Sequence, residues 1–91
     1  MYTTEEKVLS VISARYDSLV KEENKAEITM DTDIRRDLGF DSIMLVVLQI
    51  ELEDEFHIRF NPVKDDLENI FTTVRMISGY IQEMLRYEYG Q

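Results

Sequence analysis

Apolar residues recur at helical spacing in three stretches of this chain. In the first, Val8, Leu9, Ile12, Tyr16, Leu19 and Val20 fall on one stripe. Thr3 with Glu6 fits a capping box, and Glu5 and Glu6 lie in the first turn, where the helix dipole favours acids. The spacing therefore predicts a helix from Thr3 to about Lys21. Lys21 to Asp33 has no helical period and is mostly polar. It reads as a long ordered loop with Ile28 and Met30 turned inward, longer than most interhelical connections and of the kind that often carries function. At Asp37-Leu38-Gly39-Phe40-Asp41-Ser42, Gly39 lets the backbone turn, and Asp41 or Ser42 can accept the first free amides of a following helix. No Gly or Pro interrupts Ser42 to Phe56, which has a strongly helical pattern. His57 to Lys64, with Asn61-Pro62, reads as a loop, and Asp65 to Phe71 as one or two helical turns. Thr72 or Thr73 then caps a last helix with Val74, Ile77, Tyr80, Ile81, Met84 and Leu85 on one face, its tail fraying after Leu85. The expected architecture is all-α: a small four-helix bundle of three main helices plus one short helix, with a long first loop, forming a single domain over 1–91.

The second helix breaks two local rules. Ile43-Met44-Leu45-Val46-Val47-Leu48 is apolar all the way round. At 3.6 residues per turn it resolves into two opposed stripes: Leu45, Leu48, Leu52 and Phe56 on one, Ile43, Val46, Val47 and Ile50 on the other. A helix in so small a domain seldom buries both sides, so one stripe is expected in the core and the other open to a partner. The alternative is that the short helix and the long loop cover both. The second rule is electrostatic: Glu51, Glu53, Asp54 and Glu55 crowd the carboxyl end, with no Lys or Arg between Ser42 and Phe56. Exposed acids there oppose the dipole at about 0.3–1 kcal/mol each at low salt. Stability alone would have placed bases.

Composition narrows the partners. Of 91 residues, 44% are hydrophobic and 32% charged, too apolar a mix for a disordered chain. The absence of cysteine excludes disulfides and thiolate metal sites. The net charge of −9 argues against nucleic acid or an anionic membrane and for a basic protein surface. From Glu27 to Glu55, nine acids face only two bases, Arg35 and Arg36, so this segment carries most of the excess charge and would steer a basic partner toward the Asp41-Ser42 corner. There is no run of membrane-spanning length, and the polar start of the chain is unlike a signal peptide, so a cytoplasmic monomer is expected.

The run Asp37-Leu38-Gly39-Phe40-Asp41-Ser42-Ile43, opening an acidic helix that ends Glu53-Asp54-Glu55-Phe56, resembles an acyl carrier protein. The likeness spans nearly the whole chain, including Asp31-Thr32-Asp33-Ile34 and the Asn69-Ile70 and Thr72-Thr73-Val74 approach to the last helix. It implies that Ser42, beside Asp41, carries 4′-phosphopantetheine attached by a phosphopantetheinyl transferase, and that the chain is a carrier with no catalytic residues of its own. The arm's thiol would hold an acyl group as a thioester for loading and processing enzymes of a fatty-acid, polyketide or related pathway. Aminoacyl or peptidyl cargo, or an adaptor that never carries an arm, are the rival readings. The resemblance also implies an acyl-chain lining of Leu45, Leu48, Leu52 and Phe56. The implied partner face is Ile43, Met44, Val46, Val47 and Ile50, rimmed by Asp41, Glu51, Glu53 and Asp54. The chain departs from the fatty-acid carriers at Met44 and Val47, where those proteins are usually acidic or polar. That departure points toward a dedicated pathway.

The residues themselves agree with a carrier. The only histidine, His57, lies beyond the far end of the same helix, about 20 Å from Ser42 at 1.5 Å per residue, where it cannot serve as base to that hydroxyl. Asp31, Asp33 and Asp37 suggest a calcium loop, but Arg35 falls where a third oxygen ligand belongs and the required glycine and glutamate are misplaced. No metal site is expected. Arg35-Arg36 reads as a solvated pair that could brace neighbouring acids, and His57 as a solvated loop residue.

Overall fold

In a computed structural model the described residues are 3–18, 20, 26–61 and 66–89, with side chains described to residue 86. Four helices follow in chain order: α1 (Thr4–Asp17), α2 (Ser42–Phe56), α3 (Leu67–Ile70) and α4 (Val74–Tyr89). α1 packs against both α2 and α4, and α3 against α4. Among the described residues there is no strand, only an isolated antiparallel bridge between Asp33 and Thr73. The all-α bundle of three main helices and one short helix is therefore the fold observed.

The capping box on α1 forms as expected. Thr3 Oγ1 accepts from Glu6 N at 3.1 Å, while Glu6 Oε1 accepts from Thr3 N at 3.3 Å. Val8, Ile12 and Tyr16 are buried and Leu9 packs at the core's edge. The helix ends earlier than the apolar stripe predicts. Ser18 caps it after Asp17, its hydroxyl donating to Arg15 O at 2.7 Å, although Val20 still packs against the core. Leu19 and Lys21 lie outside the described residues.

The long loop is held at both ends. Ala26 N donates to Tyr16 Oη at 3.0 Å, and Ile28 and Met30 turn inward as the sequence suggests. Further on the loop serves as the cap of α4. Thr32 O accepts from Val74 N at 3.1 Å, Met30 O from Arg75 N at 2.8 Å, and Thr73 Oγ1 from Met76 N at 3.1 Å. The amides that a helix start leaves unpaired are thus satisfied, and of the two candidate caps Thr73 is the one used. α4 continues to Tyr89, past the fraying expected after Leu85. α3 is shorter than expected at four residues; Asp66 occupies its cap position without a side-chain cap bond, and Asp65 lies outside the described residues.

Arg35 is not a solvated residue. Its Nε donates to Phe71 O at 3.1 Å and its Nη2 to Glu68 O, which ties the loop to the end of α3. Much of the core comes from segments without helical period: Ile34, Leu38, Phe40, Ile58, Phe60 and Phe71 are all buried. Phe60 meets Phe71 edge-on at 5.4 Å and stacks on Tyr80 at 6.3 Å, both common aromatic geometries.

Candidate functional site

The turn before α2 sets the site. Leu38 and Phe40 are buried, flanking an exposed Gly39, and Phe40 N donates to Ile34 O at 3.0 Å. These two anchors hold the loop, so the residues between and after them must face outward. Gly39 has φ of +76°, a left-handed conformation that side chains with a Cβ adopt only under strain, and a Cβ there would meet nothing within 4 Å. The surface beside Ser42 is therefore open.

Asp41, with φ −92° and ψ −177°, is the cap, and its Oδ1 accepts from Met44 N at 2.9 Å. Ser42 is consequently the first residue of α2, exposed, and its hydroxyl has no hydrogen-bond partner among the described residues. The division of labour matters. With Asp41 holding the helix start, Ser42 is not needed as its cap and its side chain faces solvent. A phosphodiester on Ser42 Oγ would sit at the positive end of the helix dipole.

The two stripes of α2 separate as their spacing implies. Leu48, Leu52 and Phe56 are buried and Leu45 packs against the core. Ile43, Val46 and Ile50 are 76%, 55% and 57% exposed, and Val47 is half-buried. Met44, which the resemblance places on the partner face, lies half-buried against the core, on the flank of α2 rather than at its crest. Loop and short helix thus leave the outer stripe uncovered among the described residues.

At the carboxyl end the acids divide. Glu51 forms a two-point pair with Arg15 of α1, with Nε–Oε1 at 2.9 Å and Nη2–Oε2 at 2.8 Å. That bond, then the carboxylate's charge, raises the Arg15 pKa above its ordinary value. Glu53 Oε2 accepts from Phe60 N at 2.8 Å, and Glu53 O accepts from Ile58 N at 3.1 Å, closing the helix in the manner of a Schellman turn. His57 supplies the left-handed residue of that turn, at φ 56° and ψ 46°. Asp54 and Glu55 remain exposed, with no ion pair or hydrogen bond to the described residues beyond those of the helix backbone. The resemblance implies a rim of Asp41, Glu51, Glu53 and Asp54 around the partner face; in the fold Glu51 and Glu53 also have internal partners. Of the missed partners, Arg15 comes from a distant helix and the Phe60 amide from the loop just after α2, and neither has a periodic signal.

The aspartates of the loop are likewise engaged. Asp33 Oδ1 accepts from Arg35 N at 2.9 Å and Arg36 N at 3.0 Å, and Asp37 Oδ2 accepts from Asp33 N at 2.8 Å. Asp31 pairs with Arg75 at 3.1 Å. They pin turns and do not converge.

The described residues thus form a helical bundle with an exposed serine at the first position of its second helix, shortly after a left-handed glycine. The family model for the phosphopantetheine attachment site matches residues 18–81. The chain is 35% identical over 80 residues to an acyl carrier protein of Exiguobacterium sibiricum, covering 88% of this chain and 95% of that one. It is 35% identical over 72 residues to one of Trieres chinensis, covering 76% and 86%, and 35% identical over 77 residues to one of Azobacteroides pseudotrichonymphae, covering 81% and 88%. The chain belongs to the acyl carrier protein family, and its prosthetic group is covalently bound 4′-phosphopantetheine. No helix among the described residues is long and apolar enough to cross a membrane.

Proposed function

We propose that Ser42 is the attachment residue and that residues 1–91 form one carrier unit, not a catalyst, acting in the cytoplasm as a monomer. The single observation that carries this reading is the Ser42 hydroxyl: exposed, unpartnered among the described residues, and set at the first position of a helix whose start Asp41 already holds. When bound, the arm supplies a thiol that holds an acyl group as a thioester. The protein's own residues present and orient that arm. Leu38 and Phe40 anchor the turn, Asp41 fixes the first turn of α2, and the outer face of α2 receives the phosphopantetheinyl transferase and the loading and processing enzymes. Leu45, Leu48, Leu52 and Phe56 are the side chains that would line an acyl chain entering the bundle.

The pathway is one of fatty-acid, polyketide or related biosynthesis. The apolar surface at Ile43, Val46, Val47 and Ile50 favours a dedicated enzyme set over the primary fatty-acid synthase, because a basic patch shaped for acids gains little from it. Ser42 activation has to come from the transferase, since the only histidine lies about 20 Å along the helix.

The test is intact mass after incubation with coenzyme A and a broad-specificity phosphopantetheinyl transferase, with Ser42→Ala as control. A gain of one phosphopantetheine group on the parent alone is the expected outcome. A parent that gains nothing, while a known carrier in the same tube is modified, points to an adaptor that uses the same helix without an arm.

A further inference from the structure

An acyl chain that reaches the inner stripe of α2 has to pass a closed core, since Leu48, Leu52 and Phe56 are all buried. α1 closes one side by packing against both α2 and α4. α3 packs on α4 and is the shortest of the four helices, with four residues and no side-chain bond at its cap. A helix this short has little stability of its own. Its hold comes from the burial of Ile70 and Phe71 and from a guanidinium on the loop before α2. Arg35 donates from Nε to Phe71 O at 3.1 Å and from Nη2 to Glu68 O, meeting carbonyls that the end of a helix leaves unpaired. In a chain of net charge −9 an arginine has many carboxylates to pair with, yet this one donates to the backbone of α3.

The same arginine lies in the segment that holds the Ser42 corner. Its amide donates to Asp33 Oδ1 at 2.9 Å. Beside it, Ile34 N donates to Thr72 O at 2.9 Å, and Ile34 O accepts from Phe40 N at 3.0 Å. Phe40 is buried and anchors the turn that leads into Ser42. One side chain thus ties α3 to the loop from which the arm is presented.

We propose that Arg35 determines which cargo enters the bundle. It is a latch on α3 that has to release before a chain passes from the arm to Leu45, Leu48 and Leu52. The arm rests on the carrier reading, whereas the latch is set by the fold. Short acyl groups gain too little apolar burial to release it and stay outside on the arm. Longer aliphatic chains release it by burying more methylenes. Two hydrogen bonds offset the burial of about two or three methylenes, so the latch sets a threshold in chain length.

The test compares the parent with Arg35→Met, which keeps an unbranched stem and loses every donor, and with Arg35→Lys, which keeps the charge but has no fork to span two carbonyls. Thr3→Ala, which weakens the fold at the cap of α1, is the control for lost stability alone. Hydrogen exchange is measured first, on the unmodified proteins. In Arg35→Met the amides of Ile70 and Phe71, which bond to Asp66 O and Leu67 O, are expected to exchange at least about fivefold faster. If they keep the parent's rate while the core amide of Leu52 speeds up, Arg35 supports the whole fold without restraining α3, and the proposal falls.

The arms are then loaded with acetyl, butanoyl, hexanoyl, octanoyl and decanoyl groups and treated with hydroxylamine, which cleaves exposed thioesters, with intact mass following the loss. Acetyl forms should react alike in every protein. Protection is expected to begin about two carbons earlier in Arg35→Met than in the parent, and between the two in Arg35→Lys, while Thr3→Ala keeps the parent's threshold. Arg35→Lys decides the matter where Arg35→Met does not fold. An unshifted threshold, an equal shift in Thr3→Ala, or no protection at any length overturns the proposal. A parent that takes up no arm removes the carrier reading and the cargo role with it, and hydrogen exchange alone then shows whether Arg35 restrains α3.

Discussion

α2 and α4 are nearly equal in length, 15 and 16 residues, but they relate to the core in opposite ways. α4 has one apolar stripe, and the fold uses it. Val74, Ile77 and Ile81 are fully buried, Tyr80, Met84 and Leu85 flank them, and Met76 is its one large apolar side chain that is mostly exposed among the described residues. Its free amides are met by the loop that crosses its start. α2 has two stripes and the fold uses one. A helix selected for packing alone resembles α4, and the surplus on α2 is the face proposed above to meet partner enzymes.

The strongest way to break that comparison is to truncate equivalent aliphatic side chains. Ile81→Ala should cost about 2–5 kcal/mol, the range for deleting a fully buried side chain and leaving part of its cavity. Ile50→Ala should stay within about 0.5 kcal/mol, because its side chain is mostly solvated already. Urea unfolding of the two variants measures both. Similar losses would mean that the outer face of α2 is part of the core, and the docking argument would lose its foundation.

The same substitution at two glycines should act with opposite signs. Gly39, before α2, has φ of +76° and open space around it, so Gly39→Ala should cost about 1–2 kcal/mol through backbone strain and not through any clash. Gly79, inside α4, also has nothing within 4 Å of a built Cβ but is helical. Gly79→Ala should therefore stabilise by about 0.5–1 kcal/mol as the unfolded chain loses freedom. Paired denaturant midpoints would show the crossing. A loss at Gly79 would reveal that its bare surface is needed by a neighbour.

How much of this was legible in sequence follows the reach of each signal. The helices with strong period were readable, as were the Thr3–Glu6 box and the split of α2 into a buried and an open stripe, because each depends on residues a few places apart. The end of α1 was not, since Leu19 and Val20 extend the apolar pattern beyond the turn that Ser18 closes. Leu38, Phe40, Ile58 and Phe60 were missed as core because loops bury side chains without a period to betray them. At the site, the Asp41-Ser42 corner was visible locally, but which of the two capped the helix was decided only by geometry. The internal partners of the distal acids are invisible for a related reason. The four acids among residues 51–55 look alike until the fold brings Arg15 and the Phe60 amide to two of them.

The finest contrast between the helices lies in the polar atom that each could bury. Among the described residues α2 buries none, whereas α4 holds Ser78 at 1% exposure between Ile77 and the exposed Gly79, with an Oγ that has no hydrogen-bond partner there. A hydroxyl taken from water and left unpaired costs about 1–3 kcal/mol, partly recoverable when the apolar shell relaxes. Alanine also favours the helix interior by a few tenths of a kcal/mol over serine, which competes for backbone groups. Ser78→Ala should thus raise stability by about 1 kcal/mol, a small gain set against the losses expected at Ile81. Because the site is closed and the change removes a single oxygen, little cavity cost offsets it. Thermal and urea unfolding of the variant provide the check. A destabilised Ser78→Ala would mean that the hydroxyl is satisfied in solution, most simply by a turn of χ1 toward the Val74 carbonyl one helical turn back, and the contrast with α2 would then rest on the apolar faces alone.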